Sequence, residues 1–136
     1  MTKIKLPRII DDETARLCKE NAINIAKTAK ENDIFALVGD LGSGKTTWTQ
    51  SFAKEIGFLG VVVSPTFSIL HTYRSAESIL IHMDLYRLIK EDIINPLDLE
   101  ETGFFHYIGV GGICVIEWAE PVREYLPEET KWIYFD

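Results

Sequence analysis

Residues Gly39 to Thr46 read GDLGSGKT, and no other stretch restricts the fold of this chain so tightly. The pattern is a glycine loop, G-x-x-x-x-G, that closes on a lysine and a hydroxyl residue. Such a loop needs a strand before it and a helix after it. Ile34 to Val38 (IFALV) supplies the strand. It is a short, continuous apolar run, as expected where both faces of a parallel sheet are covered. Thr47 to about Ile56 supplies the helix, with Trp48, Phe52 and Ile56 on one face and Gly57 placed to stop it. Strand, loop and helix together predict an α/β fold.

The loop residue types explain one another through the chemistry of phosphate. Glycines let the backbone wrap closely around an anion. The N–H groups from Gly42 to Thr46 then point inward as a nest, and the helix behind them adds the positive end of its dipole. Lys45 reaches the β- and γ-phosphates of a nucleoside triphosphate, and the Thr46 hydroxyl ligates Mg²⁺. The candidate nucleotide-binding residues of this segment are Gly39, Asp40, Leu41, Gly42, Ser43, Gly44, Lys45, Thr46 and Thr47.

The rest of the 136 residues reads as one domain, residues 1–136, with no repeat, low-complexity tract or linker. Lys3 to Leu6 suits an edge strand, which Pro7 ends. Asp11 and Asp12 offer N-cap oxygens to a helix whose apolar stripe is Ala15, Cys18, Ala22, Ile25, Ala26 and Ala29, ended by Asn32 and Asp33. Val61 to Val63 suggests a strand. Phe67 to Tyr73 and Ile79 to Met83 suggest two more, joined around Ser75–Ser78 as a hairpin. Pro96 to Glu101 suits a short helix before Gly103. Ile113 to Ile116 is an apolar strand ending in Glu117, and Lys131 to Phe135 is a last strand.

Charge narrows the partners. Lys and Arg total 14 against 21 Asp and Glu, a net charge of −7. An acidic surface disfavours solitary binding to a phosphate backbone, so RNA, if it is met, is met through another protein. Cys18 and Cys114 read as buried thiols in a reducing compartment. No apolar run approaches the roughly 20 residues of a membrane span, and the N-terminus lacks a signal-peptide core. The expectation is a cytoplasmic protein with no membrane association.

A phosphate loop also needs a carboxylate near its metal, usually at the end of a buried strand. ILIHMD ends in Asp84 and GGICVIE ends in Glu117, and the pattern does not say which of the two ligates directly. No N/T-K-x-D segment is present to read guanine. A small-molecule P-loop kinase is the alternative reading; such a kinase usually brings an arginine-bearing lid, and here the arginines are few and scattered (Arg8, Arg16, Arg74, Arg87, Arg123), which counts against it. His82 interrupts an apolar strand and reads first as a satisfied buried histidine.

Ser64-Pro65-Thr66-Phe67, then His82-Met83-Asp84-Leu85-Tyr86-Arg87-Leu88, then Ile116-Glu117-Trp118, follow GDLGSGKTT in that order. Over about Asp12 to Phe135 these motifs make the chain resemble the TsaE (YjeE) family, bacterial P-loop ATPases of tRNA threonylcarbamoyladenosine formation. The resemblance implies a mixed, mostly parallel sheet flanked by helices. It implies ATP and Mg²⁺ as cofactors, slow hydrolysis by the protein alone, and TsaD and TsaB as partners that carry out the transfer to tRNA. On this reading tRNA is met only indirectly, and the ATP cycle resets the partner complex. It further implies Thr46 and Glu117 as metal ligands, Asp84 as a second essential acid near the γ-phosphate, and Thr66 as a switch-like sensor of that phosphate. Lys45, Asp84, Glu117 and Thr66 are then the catalytic set. Trp118 and Thr14 fall at family positions close to the nucleotide. Many members of that family continue past the strand equivalent to Trp132–Phe135 with a Gly-Arg segment and another strand. They often carry alanine where Ser43 stands.

Overall fold

The computed structural model describes residues 2–58, 69–75, 78–108 and 111–136. Among these residues six strands form one sheet in the order β1-β8-β2-β7-β4-β3. They are β1 (Thr2–Leu6), β2 (Ile34–Val38), β3 (Leu70–Arg74), β4 (Ile79–Asp84), β7 (Ile113–Glu117) and β8 (Lys131–Phe135). All neighbours are parallel except β3, which runs antiparallel to β4 at one edge. A two-stranded ribbon, β5 (Ile89–Lys90) and β6 (Ile93–Ile94), lies outside the sheet. The mixed, mostly parallel sheet implied by the family resemblance is thus present.

Strand alternation sorts the core into two layers. Phe35 and Leu37 of β2, Ile113 and Val115 of β7, and Leu80 of β4 pack with Cys18, Ala22, Trp48 and Phe52 of helices α1 (Asp12–Ala26) and α2 (Lys45–Glu55). Ala36, Ile81, Met83, Cys114 and Ile116 face the other way, toward Leu99 of α3 (Pro96–Glu101) and Phe104 of α4 (Phe104–Tyr107). The same alternation puts His82, Asp84 and Glu117 on the α1/α2 side. That is the side on which the glycine loop enters α2.

Local signals set the helix starts. Asp11 accepts from the Thr14 N–H at 2.8 Å, and the Thr14 hydroxyl accepts from the Asp11 N–H at 3.1 Å, a reciprocal cap. The Asp11 carboxyl is held below its ordinary value by accepting from the Thr14 N–H and, at 2.8 Å, from the Thr14 hydroxyl. Helix α1 ends at Ala26, short of the Asn32 terminus that the apolar stripe suggests. Thr28 and Ala29 instead turn back onto the carbonyls of Ile25 and Ala26, and Ala29 still packs on the core from this tighter turn. Helix α2 begins at Lys45, two residues before the sequence reading. Helix α4 and the β5–β6 ribbon are not anticipated by it. The expected Val61–Val63 strand and the start of the Phe67–Tyr73 strand lie outside the described residues.

Trp48 joins the glycine loop to the core. It is fully buried, stacks on Phe52 with centroids 5.0 Å apart, and donates Nε1–H to Asn21 Oδ1 at 2.9 Å. Trp48→Phe keeps the stack but removes that bond and leaves a small void. It is expected to lower unfolding free energy by about 1–3 kcal/mol, read by denaturant titration with an unchanged slope.

Candidate nucleotide-binding site

Three adjacent strands end at one edge of the sheet. β2 runs into the glycine loop, β7 ends at Glu117, and β4 ends at Asp84. Leu37 is in register with Glu117, and Glu117 with Asp84. The two carboxylates therefore sit on strands ~4.8 Å apart, beside the loop. Such an edge, at the carboxyl ends of parallel strands, is where open α/β sheets bind ligands. A cleft of about 230 Å³ opens there, lined by Ile9, Leu41, Gly42, Gly44, Lys45, Thr46, Thr47, Asp84, Glu117 and Trp118.

Gly42 and Gly44 have φ of 75° and 124°, conformations that a side chain would strain. A Cβ on Gly44 would also come within 2.9 Å of Ile9 Cδ1. The cradle is closed from that side, because the Ile9 N–H donates to Ser43 O at 3.1 Å. Ile9 is absent from the sequence reading. An apolar residue between a strand and a helix cap carries no signal of a ligand, and only the tertiary contact with the loop reveals it.

Lys45 is buried, yet its ammonium is satisfied. Nζ donates to the carbonyl oxygens of Gly39 and Asp40 and lies 4.4 Å from the centre of the Trp118 ring. Burial holds its pKa below the ordinary lysine value, against the opposing charges of Glu117, Asp84 and Asp40. Asp40 itself is exposed and pairs with Arg8 at 2.9 Å. Ser43 is buried inside the loop, and its N–H donates to Asp40 O at 3.1 Å.

Trp118 follows Glu117 directly and has φ of 58°, a left-handed conformation rare for a bulky residue. Its N–H donates to Leu37 O at 3.2 Å, and its ring packs 4.9 Å from that of Tyr86. The Tyr86 N–H in turn donates to Asp84 Oδ1 at 3.1 Å, a turn that holds the carboxylate at the end of β4. The HMDLYR and IEW segments are thereby joined into one wall of the cleft.

The structure therefore gathers Leu41, Gly42, Gly44, Lys45, Thr46, Thr47, Asp84, Glu117 and Trp118 around one cleft, while Gly39 and Asp40 hold the lysine. Thr14 does not line it. Its hydroxyl is engaged by the Asp11 cap and by the Ile10 N–H at 2.8 Å. Arg87 does not line it either. Thr66, with Ser64 and Pro65, lies outside the described residues.

The donor set fits a magnesium nucleotide. The loop amides and Lys45 suit phosphate, and at Gly42, where a Cβ would meet nothing within 4 Å, the loop faces open space. Mg²⁺ takes hard oxygen ligands, commonly one or two carboxylates with phosphates and water. The Thr46 hydroxyl and the carboxylates of Glu117 and Asp84 are of that kind. Among the described residues there is no cluster of three or more His, Cys, Asp or Glu of the sort that cages a metal without such help. Nor is any helix there long and apolar enough to cross a membrane.

A family model described as "Threonylcarbamoyl adenosine biosynthesis protein TsaE" matches residues 12–136. A Bacillus subtilis (strain 168) protein named "tRNA threonylcarbamoyladenosine biosynthesis protein TsaE" is 37% identical over 133 residues, covering 98% of this chain and 77% of its own. A Haemophilus influenzae protein of the same name is 39% identical over 134 residues, covering 96% and 82%. Among solved structures, the crystal structure of Bacillus subtilis YdiB matches with a TM-score of 0.67 at 35% identity, over 93% of this chain and 72% of that one. The order of motifs, the fold and these likenesses agree, and the chain belongs to the TsaE family.

Proposed function

We propose that this protein is a cytoplasmic ATPase that takes part in forming threonylcarbamoyladenosine on tRNA. It hydrolyses ATP slowly when alone and acts with a TsaB–TsaD pair, whose cycle it resets without performing the transfer. One observation carries the reading: the phosphate loop, Asp84 and Glu117 converge on a single cleft at the carboxyl edge of the sheet. Relatives named for this biosynthesis supply the pathway.

The residues divide the work by their chemistry. The loop amides of Gly42 and of Gly44 to Thr46 bind phosphate oxygens, the Ser43 N–H being held by Asp40 O, and the Lys45 ammonium exchanges its carbonyl partners for the β- and γ-phosphates. Thr46 and Glu117 hold Mg²⁺, with Asp84 beside them. When bound, the ion neutralises charge on the β- and γ-phosphate oxygens. Asp84, held by the Tyr86 N–H, orients the attacking water. Thr66 senses the γ-phosphate. Trp118 shields Lys45 from solvent and so strengthens its field on the phosphates. The net charge of −7 suits docking beside tRNA-binding partners better than direct RNA contact.

ATP turnover by the purified protein, with and without the TsaB–TsaD pair, tests this. Turnover is expected to be slow alone and to rise with the pair. Turnover indifferent to the pair would remove the partner-coupled role and return the small-molecule kinase reading to first place.

A further inference from the structure

Glu117 has a partner that nucleotide binding does not by itself call for. His82 lies in the middle of β4 and is fully buried. Its Nε2 is 2.6 Å from Glu117 Oε2, and the Glu117 side chain is 3% exposed. The register explains the meeting. Asp84 pairs with Glu117, so His82 lies two residues back on the neighbouring strand, facing the same side of the sheet.

The position is a demanding one for a histidine. Leu80, Ile81 and Met83 around it are buried apolar residues, and His82 Nδ1 finds no partner among the described residues. A buried ring nitrogen without a hydrogen bond is destabilising, and an aliphatic residue here would carry no such penalty. What the imidazole supplies in return is an Nε2–H donor aimed at the carboxylate. That bond occupies Oε2 and fixes the orientation of the carboxyl group. It leaves the second oxygen for the cleft that Glu117 lines. Carboxylates that ligate metals are commonly held by such a hydrogen bond from behind.

We propose that His82 is a positioning residue for the metal site, orienting the Glu117 carboxylate toward Mg²⁺ through the Nε2–Oε2 hydrogen bond. The inference rests on the reading of Glu117 as a magnesium ligand. Removing the bond therefore weakens binding of the magnesium nucleotide and leaves binding of the bare nucleotide alone.

Calorimetric titration with ADP separates these effects. It is run on the whole chain in excess MgCl₂ and again in EDTA, for the wild type, His82→Phe, His82→Asn and His82→Gln. His82→Phe is expected to lose about 10- to 100-fold in affinity with magnesium and nothing in EDTA. His82→Gln places an amide near the Nε2 position and is expected to recover most of the loss. The shorter His82→Asn is not. If His82→Phe fails to fold, the contrast between Asn and Gln carries the same test. Equal losses in both media would assign His82 to packing alone and overturn the proposal, as would full affinity in magnesium. A wild type whose affinity ignores magnesium would overturn the metal reading of Glu117 and the role of His82 with it. A magnesium-dependent wild type matched by His82→Phe would overturn only the latter.

Discussion

Lys45→Ala is expected to lower ATP turnover by at least about 10²–10³-fold while the protein remains folded, the scale of losing one preorganised charge from a transferring phosphoryl group. The lysine contributes little that the fold needs. Its ammonium is desolvated, and its hydrogen bonds go to the carbonyls of Gly39 and of the exposed Asp40, where water can replace it. Among the described residues, in contrast, the cleft has no second cation to take its place: Arg8 is turned to Asp40, and Arg87 does not line the cleft. Steady-state turnover and a thermal melt on the same sample check both halves. Wild-type turnover in the variant would remove the phosphate-loop assignment; loss of turnover together with loss of the melt would show that Lys45 is needed for folding.

Glu117→Gln is expected to produce a loss on the order of 10²-fold in turnover, with a second signature in the pH profile. Glutamine keeps an acceptor for His82 Nε2 but removes a full negative charge. Burial holds the pKa of Lys45 down, and Glu117 is the largest of the charges that hold it up. With that charge gone, the Lys45 pKa falls further and its protonated fraction at a given alkaline pH shrinks. The alkaline limb of the activity profile should move to lower pH. An unmoved limb would mean that the protonation of Lys45 does not govern turnover. An acidic shift in Glu117→Gln with normal turnover would separate the two carboxylates and leave Asp84 as the principal ligand.

Much of the architecture is legible in the chain because its signals are local. The IFALV run, the glycine loop and the apolar stripe of α2 each depend on residues within a few positions of one another; strand and loop are found where the pattern puts them, and α2 is displaced by only two residues at its start and one at its end. The Asp11–Thr14 cap is local too. The elements that escape are those whose reason is distant. Helix α1 stops early because its last carbonyls are taken up by a tighter turn, although the apolar stripe continues to Ala29. Asn32, just beyond, adopts φ of 75° and accepts from the Gly111 N–H at 2.9 Å, a contact 79 positions away. The four-residue α4 has no periodicity of its own to read.

The candidate site divides along the same line. The chain alone shows the glycine loop, its lysine and hydroxyl, and two acids at the ends of apolar strands, because each chemistry demands a fixed residue type at a fixed spacing. Which acids share a cleft is a matter of strand order. β4, β7 and β2 are neighbours only in the folded sheet, and only their parallel register sets Asp84 beside Glu117 and both beside the loop. His82 is the sharpest case. In the sequence it is a polar residue interrupting an apolar strand, with nothing to say what it meets. In the structure it is 2.6 Å from a carboxylate 35 positions away. Local residue chemistry specifies what each segment can bind, whereas long-range strand pairing decides which segments bind together.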